Sequence, residues 1–530
     1  MQRLYIDANA AVGRQNHPEP RIPHRVETLL DDMAYSRVHG ALVQSHVGRD
    51  YSYVAGNREL RAAVLAHPRL AGVALVAPGM DYELAEGSAY LDALVAQGFK
   101  ALSLSPRTCA HEFSPFLLEG IAAFCNARSL PLVVDCSEVA LEDLWRMLRA
   151  FPDLPVLLTG SSWSDDRTLF VLMEQCPGLH FELSNNQAND LLAVCKEHFG
   201  IDRVLFGSGH PEKTPGALKA LVEYSGLSDA DKTLVASGNA LRLFRLDPAA
   251  FPLYDESACA LDGLARTVDA GLPLWDEQVV DCHAHMVDPA HQAVSHVPMY
   301  RTDPAAMVRS MDRLGIGTLI TSPWEGIMTA GGSNESALAA CRAFPDRILA
   351  YATWNPHYPQ DLDDVIDIYH ERHRFPGIKP YLPRHHVDLL DDRYARWFSY
   401  GNEHHLFALI HAETPDVAAT VDTLSLRYPE LVFLLAHSGA TYDVARANAA
   451  VARARPNVYV EITYTTVTYG SIEYLVETCG ADKVLFGTDI PMRDPAPQLA
   501  WVAYARIDET DKRKILGGNI RRLLARAYGS

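Results

Sequence analysis

A chain of 530 residues is too long for one ordinary domain, and 48% apolar with 21% charged residues is the composition of a soluble globular protein. The formal charge of −19, from 47 basic against 66 acidic side chains with no compensating Lys/Arg-rich stretch, disfavours nucleic acid as a partner. No apolar run approaches the roughly 20 residues that span a bilayer, which argues against a membrane protein.

Nine cysteines lie scattered without a Cys-x-x-Cys pair, as expected of reduced thiols rather than a disulfide framework or zinc ribbon. The N-terminal stretch MQRLYIDANAAVGRQNHPEP lacks the regions of a signal peptide, so the expected compartment is the cytoplasm.

Taken in chain order, the apolar runs of the first half return in the second. YIDANA (5–10) meets VVDCHA (279–284), an offset of 274, and GFKALSLSP (98–106) meets GIKPYLP (377–383) with Lys100 under Lys379, an offset of 279. VLLTGS (156–161) meets FLLAHS (433–438) at 277. DRVLFGS (202–208) meets DKVLFGT (482–488) at 280, and SGNALRLF (237–244) meets GGNIRRLL (517–524) at the same offset. A slow drift of this kind is what a tandem duplication with short loop insertions produces.

Within each copy, short β-branched or leucine-rich runs alternate with longer amphipathic stretches, for example LFALIHAE, TPDVAATVDTLSLRYPE, LVFLLAHSG, ATYDVARANAAVARARPN and VYVEITY. That alternation indicates parallel strands with crossover helices. Copies of about 250 residues hold eight such units, so the expected fold is α/β, two tandem (β/α)8 TIM barrels. A doubly wound open sheet is the other option, but no Gly-x-Gly-x-x-Gly follows a first strand. The expected domains are a first barrel over 1–247, a linker over 248–274 and a second barrel over 275–530.

The second copy carries metal-type side chains where barrel strands should end. His283 and His285 follow Val279-Val280, His411 follows LFALI, His437 follows VFLLA and Asp489 follows KVLFGT. In a barrel these ends converge on one mouth. Neutral imidazoles with a carboxylate suit zinc, and also manganese or iron, with positions left for water and substrate.

The stretches VVDCHAHM, LIHAE, LLAHSG and VLFGTDIPM resemble the strand-end motifs of the amidohydrolase superfamily, specifically the amidohydrolase-related group of metal-dependent hydrolases and nonoxidative decarboxylases built on a (β/α)8 barrel. The resemblance covers roughly residues 275 to 530, with the first half as a divergent copy. It implies that His283, His285, His411 and Asp489 hold one divalent metal per chain, with His437 as the acid/base beside the bound water. Asp489 is the second expected catalytic residue, taking the proton of that water.

The first copy serves as an internal control. Asn9 and Ala11 stand where the second copy has His283 and His285, Asp135 where it has His411, Gly160 where it has His437 and Gly209 where it has Asp489. Asp7 under Asp281, Lys100 under Lys379, Glu182 under Glu461, Gly207 under Gly487 and Asn239 under Asn519 are kept. Residues lost together are expected to serve the metal, and those kept to serve the barrel. On that reasoning Lys379 is expected in an interior ion pair with Glu461 rather than as a carbamylated bridge between two metals.

Trp324, Trp354, Asn355 and Glu413 are candidate substrate contacts, and Tyr464 is another strand-end aromatic. SPWEGIMTAGGSN (322–334) is expected to be a pocket loop or lid. His357 is read as a substrate contact or a helix cap, and the His385-His386 and His404-His405 pairs as solvated.

The expected function is metal-dependent hydrolysis of a small carboxylate, lactone or amide through a metal-activated water. The alternatives are nonoxidative decarboxylation of a small aromatic acid and a non-catalytic scaffold with a vestigial metal site. The partner is then a small-molecule substrate, and the two barrels are expected to pack on each other like a fused homodimer.

Overall fold

The computed structural model describes residues 2–16, 19–288, 294–295, 297–327 and 334–529. Residues 328–333 of the stretch expected as a lid (322–334) lie outside the described residues.

The chain divides into two compact units, Met1–Leu261 and Asp262–Ser530. The first holds strands β1 (Ile6–Val12), β2 (Gly40–Ser45), β3 (Leu70–Leu75), β4 (Ala101–Leu104), β5 (Leu132–Asp135), β6 (Val156–Thr159), β7 (Leu179–Glu182) and β8 (Val204–Leu205). The second holds β9 (Val279–Met286), β10 (Ile316–Pro323), β11 (Ile348–Thr353), β12 (Gly377–Lys379), β13 (Phe407–His411), β14 (Val432–Ala436), β15 (Val458–Glu461) and β16 (Val484–Leu485). In each unit the eight strands follow chain order and pair in parallel, with helices between them, so each is a (β/α)8 barrel.

Strands covered on both faces need apolar side chains throughout, which is why Phe407–Ile410 and Val432–Ala436 read as unbroken hydrophobic runs and are buried. Each intervening helix instead buries one stripe. Pro415–Arg427 opens on a proline at its first turn and buries Ala418, Val421, Leu424 and Ser425. Tyr442–Ala454 starts at Thr441, whose side chain accepts from the Val444 amide, and buries Val444, Ala445, Asn448, Ala449 and Ala452.

Three of the residues kept in both copies hold each barrel together: an aspartate on the first strand that bonds to the segment after the last, a helix asparagine that bonds to carbonyls at the last strand, and a glycine that leaves room for a buried glutamate. Buried Asp7 accepts from Ser208 Oγ (2.5 Å), Ser208 N (2.9 Å) and Asn9 N (2.9 Å). Buried Asp281 accepts from Thr488 Oγ1 (2.5 Å), Thr488 N (3.1 Å) and His283 N (3.0 Å). Asn239 Nδ2 donates to the carbonyls of Ile201 and Val204 at 2.8 and 2.7 Å, and Asn519 Nδ2 to those of Ala481 and Val484 at 2.7 and 2.8 Å. Gly207 and Gly487 make room for a buried glutamate: a Cβ there would lie 2.1 Å from Glu182 Oε2 or 2.7 Å from Glu461 Oε1.

Of the expected linker, Phe251 is buried in the core of the first barrel beside Leu243 and Phe244. Leu264, Ala265 and Val268 of the helix Gly263–Asp269 are buried in the second unit. Among the described residues, no helix is long and apolar enough to cross a membrane.

Candidate metal centre

All five residues singled out at the strand ends of the second barrel meet in one region. His283 and His285 lie on β9 with ring centroids 5.5 Å apart, His411 ends β13, His437 follows β14 directly and Asp489 follows β16. The structure arranges them as two neighbouring groups. In one, Asp489 Oδ1 lies 3.2 Å from His283 Nε2 and 3.0 Å from His285 Nε2. In the other, His411 Nδ1 lies 3.1 Å from His437 Nε2, and His411 Nε2 lies 3.1 Å from Glu413 Oε2. The rings of His283 and His437, 5.1 Å apart, join the groups.

Three observations show that the first group fits a divalent cation. Asp489 Oδ1 is buried and accepts no hydrogen bond, although two imidazole nitrogens face it, so a strong acceptor stands without a proton donor. His283 Nδ1 is 3.0 Å from Glu461 Oε2, an arrangement that places the ring proton on Nδ1 and turns the Nε2 lone pair toward Asp489. His285 is held in the same sense, its Nδ1 beside Ser322 Oγ (3.2 Å) and Tyr381 Oη (3.3 Å). Burial and the nearby Lys379 charge lower both imidazoles well below their ordinary range, which keeps them in the neutral, ligating form.

His437 is also buried and neutral, first through desolvation and then through His411. Its Nδ1 lies 2.6 Å from the Thr463 carbonyl, so Nδ1 carries the proton and Nε2 faces the site as an acceptor. Backbone strain accompanies both expected catalytic residues: His437 and Asp489 have φ of 67° and 66°, in the left-handed region that costs a non-glycine residue about 1 kcal/mol or more. Gly160 and Gly209 adopt φ of 67° and 72° at the corresponding places of the first barrel.

Several sequence readings are revised. Lys379 does not reach Glu461 at bonding distance. Its Nζ lies 3.4 Å from His283 Nε2, while Glu461 accepts from His283 and from the backbone amide and hydroxyl of Thr463. Burial dominates both groups, lowering the lysine to about 7 and raising the glutamate to about 7. Glu461 therefore does more than serve the barrel, since it orients a candidate ligand. His385 is not solvated: it is buried, with Nε2 2.9 Å from the Gly326 carbonyl.

Of the candidate substrate contacts, Trp324 stands edge-on to His285 at 5.0 Å and Glu413 contacts His411. Trp354 is packed between Tyr394 and Trp397, each at 5.9 Å, and Asn355 Oδ1 accepts from the His357 amide. His357 Nε2 is 2.8 Å from the His385 carbonyl.

Arg493 was not anticipated. It is buried, pairs through Nη1 with Asp489 Oδ2, donates through Nε to Thr465 Oγ1 (2.6 Å) and lies 5.3 Å from the Tyr464 ring. It thereby fixes the carboxylate so that Oδ1 faces the histidines. The available signal was its register, because Lys213 stands 280 positions earlier and keeps the positive charge.

Neutral imidazoles and a fixed carboxylate at the mouth of a (β/α)8 barrel are a donor set that suits a divalent cation. A family model described as an amidohydrolase matches residues 13–246 and 280–526. The chain belongs to the amidohydrolase family, and both halves are members.

No curated protein matches it. Similar solved structures include 2,6-dihydroxybenzoate decarboxylase complexed with 2,6-dihydroxybenzoate (16% identity, 46% of this chain, 98% of that one, TM-score 0.39). Another is 5-carboxyvanillate decarboxylase from Novosphingobium aromaticivorans complexed with manganese (15%, 46% and 95%, TM-score 0.38). A third is 4-oxalomesaconate hydratase from Rhodopseudomonas palustris (16%, 47% and 97%, TM-score 0.37).

Proposed function

We propose that the second barrel is a metal-dependent hydrolase of a small carboxylate, lactone or amide. The observation that carries the reading is the buried Asp489 Oδ1, without a hydrogen bond and faced by the Nε2 atoms of His283 and His285. These three residues would hold one divalent cation, zinc by donor type with manganese or iron as alternatives, and His411 would complete the set by turning from Glu413. When bound, such a cation supplies hydroxide near neutral pH and polarises a substrate oxygen.

The chain's own residues do the rest. Asp489, anchored by Arg493 through Oδ2, takes up a proton at Oδ1. His437, its Nδ1 proton engaged by the Thr463 carbonyl, presents Nε2 to accept a proton and return it to the leaving group. Trp324 shields one side of His285 from water, and Tyr464, 5.5 Å from His437, borders the other group.

Those aromatic walls favour a second reading, decarboxylation of a small aromatic acid. A panel of aromatic acids, lactones and amides, scored for both hydrolysis and CO2 release, separates the two. Hydrolysis without CO2 release supports the first reading and the reverse supports the second. Full metal content with neither activity would leave a scaffold.

We propose in addition that the first barrel serves the second as a packing partner, in the manner of a fused homodimer. Residues 262–530 expressed alone should then be poorly soluble, and a soluble, fully active fragment would refute this.

A further inference from the structure

A packing partner needs its fold but not an open mouth, and the first barrel has kept one. At the C-terminal ends of its strands lies a cavity of about 220 Å3. It is smaller than the roughly 300–1,000 Å3 of sites for drug-sized ligands. Its walls mix polar side chains with apolar ones, Ala11, Leu75 and Leu104 among them, and among the described residues of this barrel no cluster has metal-ligating geometry.

The losses in this barrel are coordinated with gains. Asp135 occupies the position of His411, and its carboxylate is set by Ser137 N (2.9 Å), Ser137 Oγ (2.6 Å) and Thr159 Oγ1 (3.0 Å). Gly160 makes the room, since a Cβ there would lie 2.4 Å from Asp135 Oδ2, so the glycine and the aspartate belong together. Asn9 replaces His283 and donates to Glu182 Oε1 at 3.0 Å, satisfying the buried glutamate without a metal. Ala11 replaces His285 and leaves its volume to the cavity.

The charge lining this cavity is unlike that of a site for an acid. Asp135, Glu138 and Glu212 face it, Glu212 accepting from Gln15 Nε2 (2.8 Å) and lying 3.9 Å from His46 Nε2, together with the imidazoles of His46 and His210 and a single guanidinium, that of Arg49, whose Nε is paired with Asp50 at 2.9 Å. The neighbouring Lys213 ammonium is directed to the Ser184 carbonyl (2.6 Å) and Asn185 Oδ1 (3.3 Å). An anionic ligand would be repelled and a cation attracted. The rest of the wall supplies hydroxyl and amide groups, among them Ser45, Ser103, Ser105 and Gln44, which suit ligand hydroxyls.

We propose that the mouth of the first barrel is a binding site for a small hydroxylated amine, its ammonium held by Asp135 and its hydroxyls by the serines and amides of the wall. The site is independent of the chemistry assigned to the second barrel.

Calorimetric titration of the full chain with 2-amino-1,3-propanediol tests it, with glycerol and acetate as comparisons. The expected result is saturable one-site binding of the amine, glycerol at least tenfold weaker, and no binding of acetate. Asp135→Asn should weaken the amine at least tenfold, and Ala11→Leu, which fills the cavity without changing charge, should abolish binding while metal content stays that of the wild type. If Asp135→Asn fails to fold, Ala11→Leu decides alone. Absence of saturable amine binding, equal binding of glycerol, or binding that survives Ala11→Leu would overturn the proposal.

Discussion

Just past β14 and β16 the second barrel places His437 and Asp489 at φ of 67° and 66°, while the first places Gly160 and Gly209 at 67° and 72°. The backbone has the same shape in both, and only the second barrel accepts the strain of putting side chains on it. Glycine adopts this conformation freely, so a chain with no use for a side chain there reverts to it. The comparison separates what the fold requires, a left-handed turn after the strand, from what the proposed chemistry would require, an imidazole and a carboxylate on that turn. The same separation runs through β1 and β9, where Asp7 and Asp281 close their barrels identically while Asn9 and His283 satisfy the same buried glutamate by different means.

The largest effect should come from exchanging roles at the first strand. His283→Ala should lose the metal and reduce turnover to background, whereas Asn9→Ala in the first barrel should leave both intact. Equal losses in the two variants, by elemental analysis and rate, would erase the functional difference between the barrels.

Next, His437→Ala should retain the metal and lose about 10² to 10⁴ in kcat, the usual contribution of a general acid/base. His437→Gly should lose as much activity yet unfold at a higher temperature than His437→Ala, because φ at this position suits glycine. The same melting temperature for both would show that the strain is negligible.

Smaller effects sharpen the contrast within the first barrel. Gly160→Ala should destabilise by about 3 kcal/mol in denaturant titration, combining positive φ with a Cβ 2.4 Å from Asp135 Oδ2. Gly209→Ala should cost less, about 1 kcal/mol, since its Cβ would meet Ser184 Cβ at 3.3 Å, a tight contact but no clash of the kind at Gly160, and the positive φ is the main penalty. The reverse order would mean that Asp135 is not held where it stands.

Much of this was legible in the residues. Parallel strands buried on both faces must be apolar throughout, so their ends, and the histidines on them, stand out as breaks in the pattern. The internal duplication then separated metal-type residues from the rest.

What it concealed were residues with two duties. Glu461 and Arg493 touch candidate ligands, yet Glu182 and Lys213 persist in the other barrel because a buried acid and a cation also suit a mouth rebuilt without metal. Reading Glu461 as part of the barrel alone was therefore too narrow. His385 was misjudged for a different reason: a short turn at Leu382–His385 buries it through contacts distant in sequence, which no local periodicity records.

The most direct test of the central claim, that one barrel carries a single metal centre and the other none, is the metal content of the purified full-length protein after growth in metal-replete medium. The account predicts one equivalent of divalent metal per chain, absent from His283→Ala and unchanged in Asn9→Ala. Two equivalents per chain, or none, would contradict it.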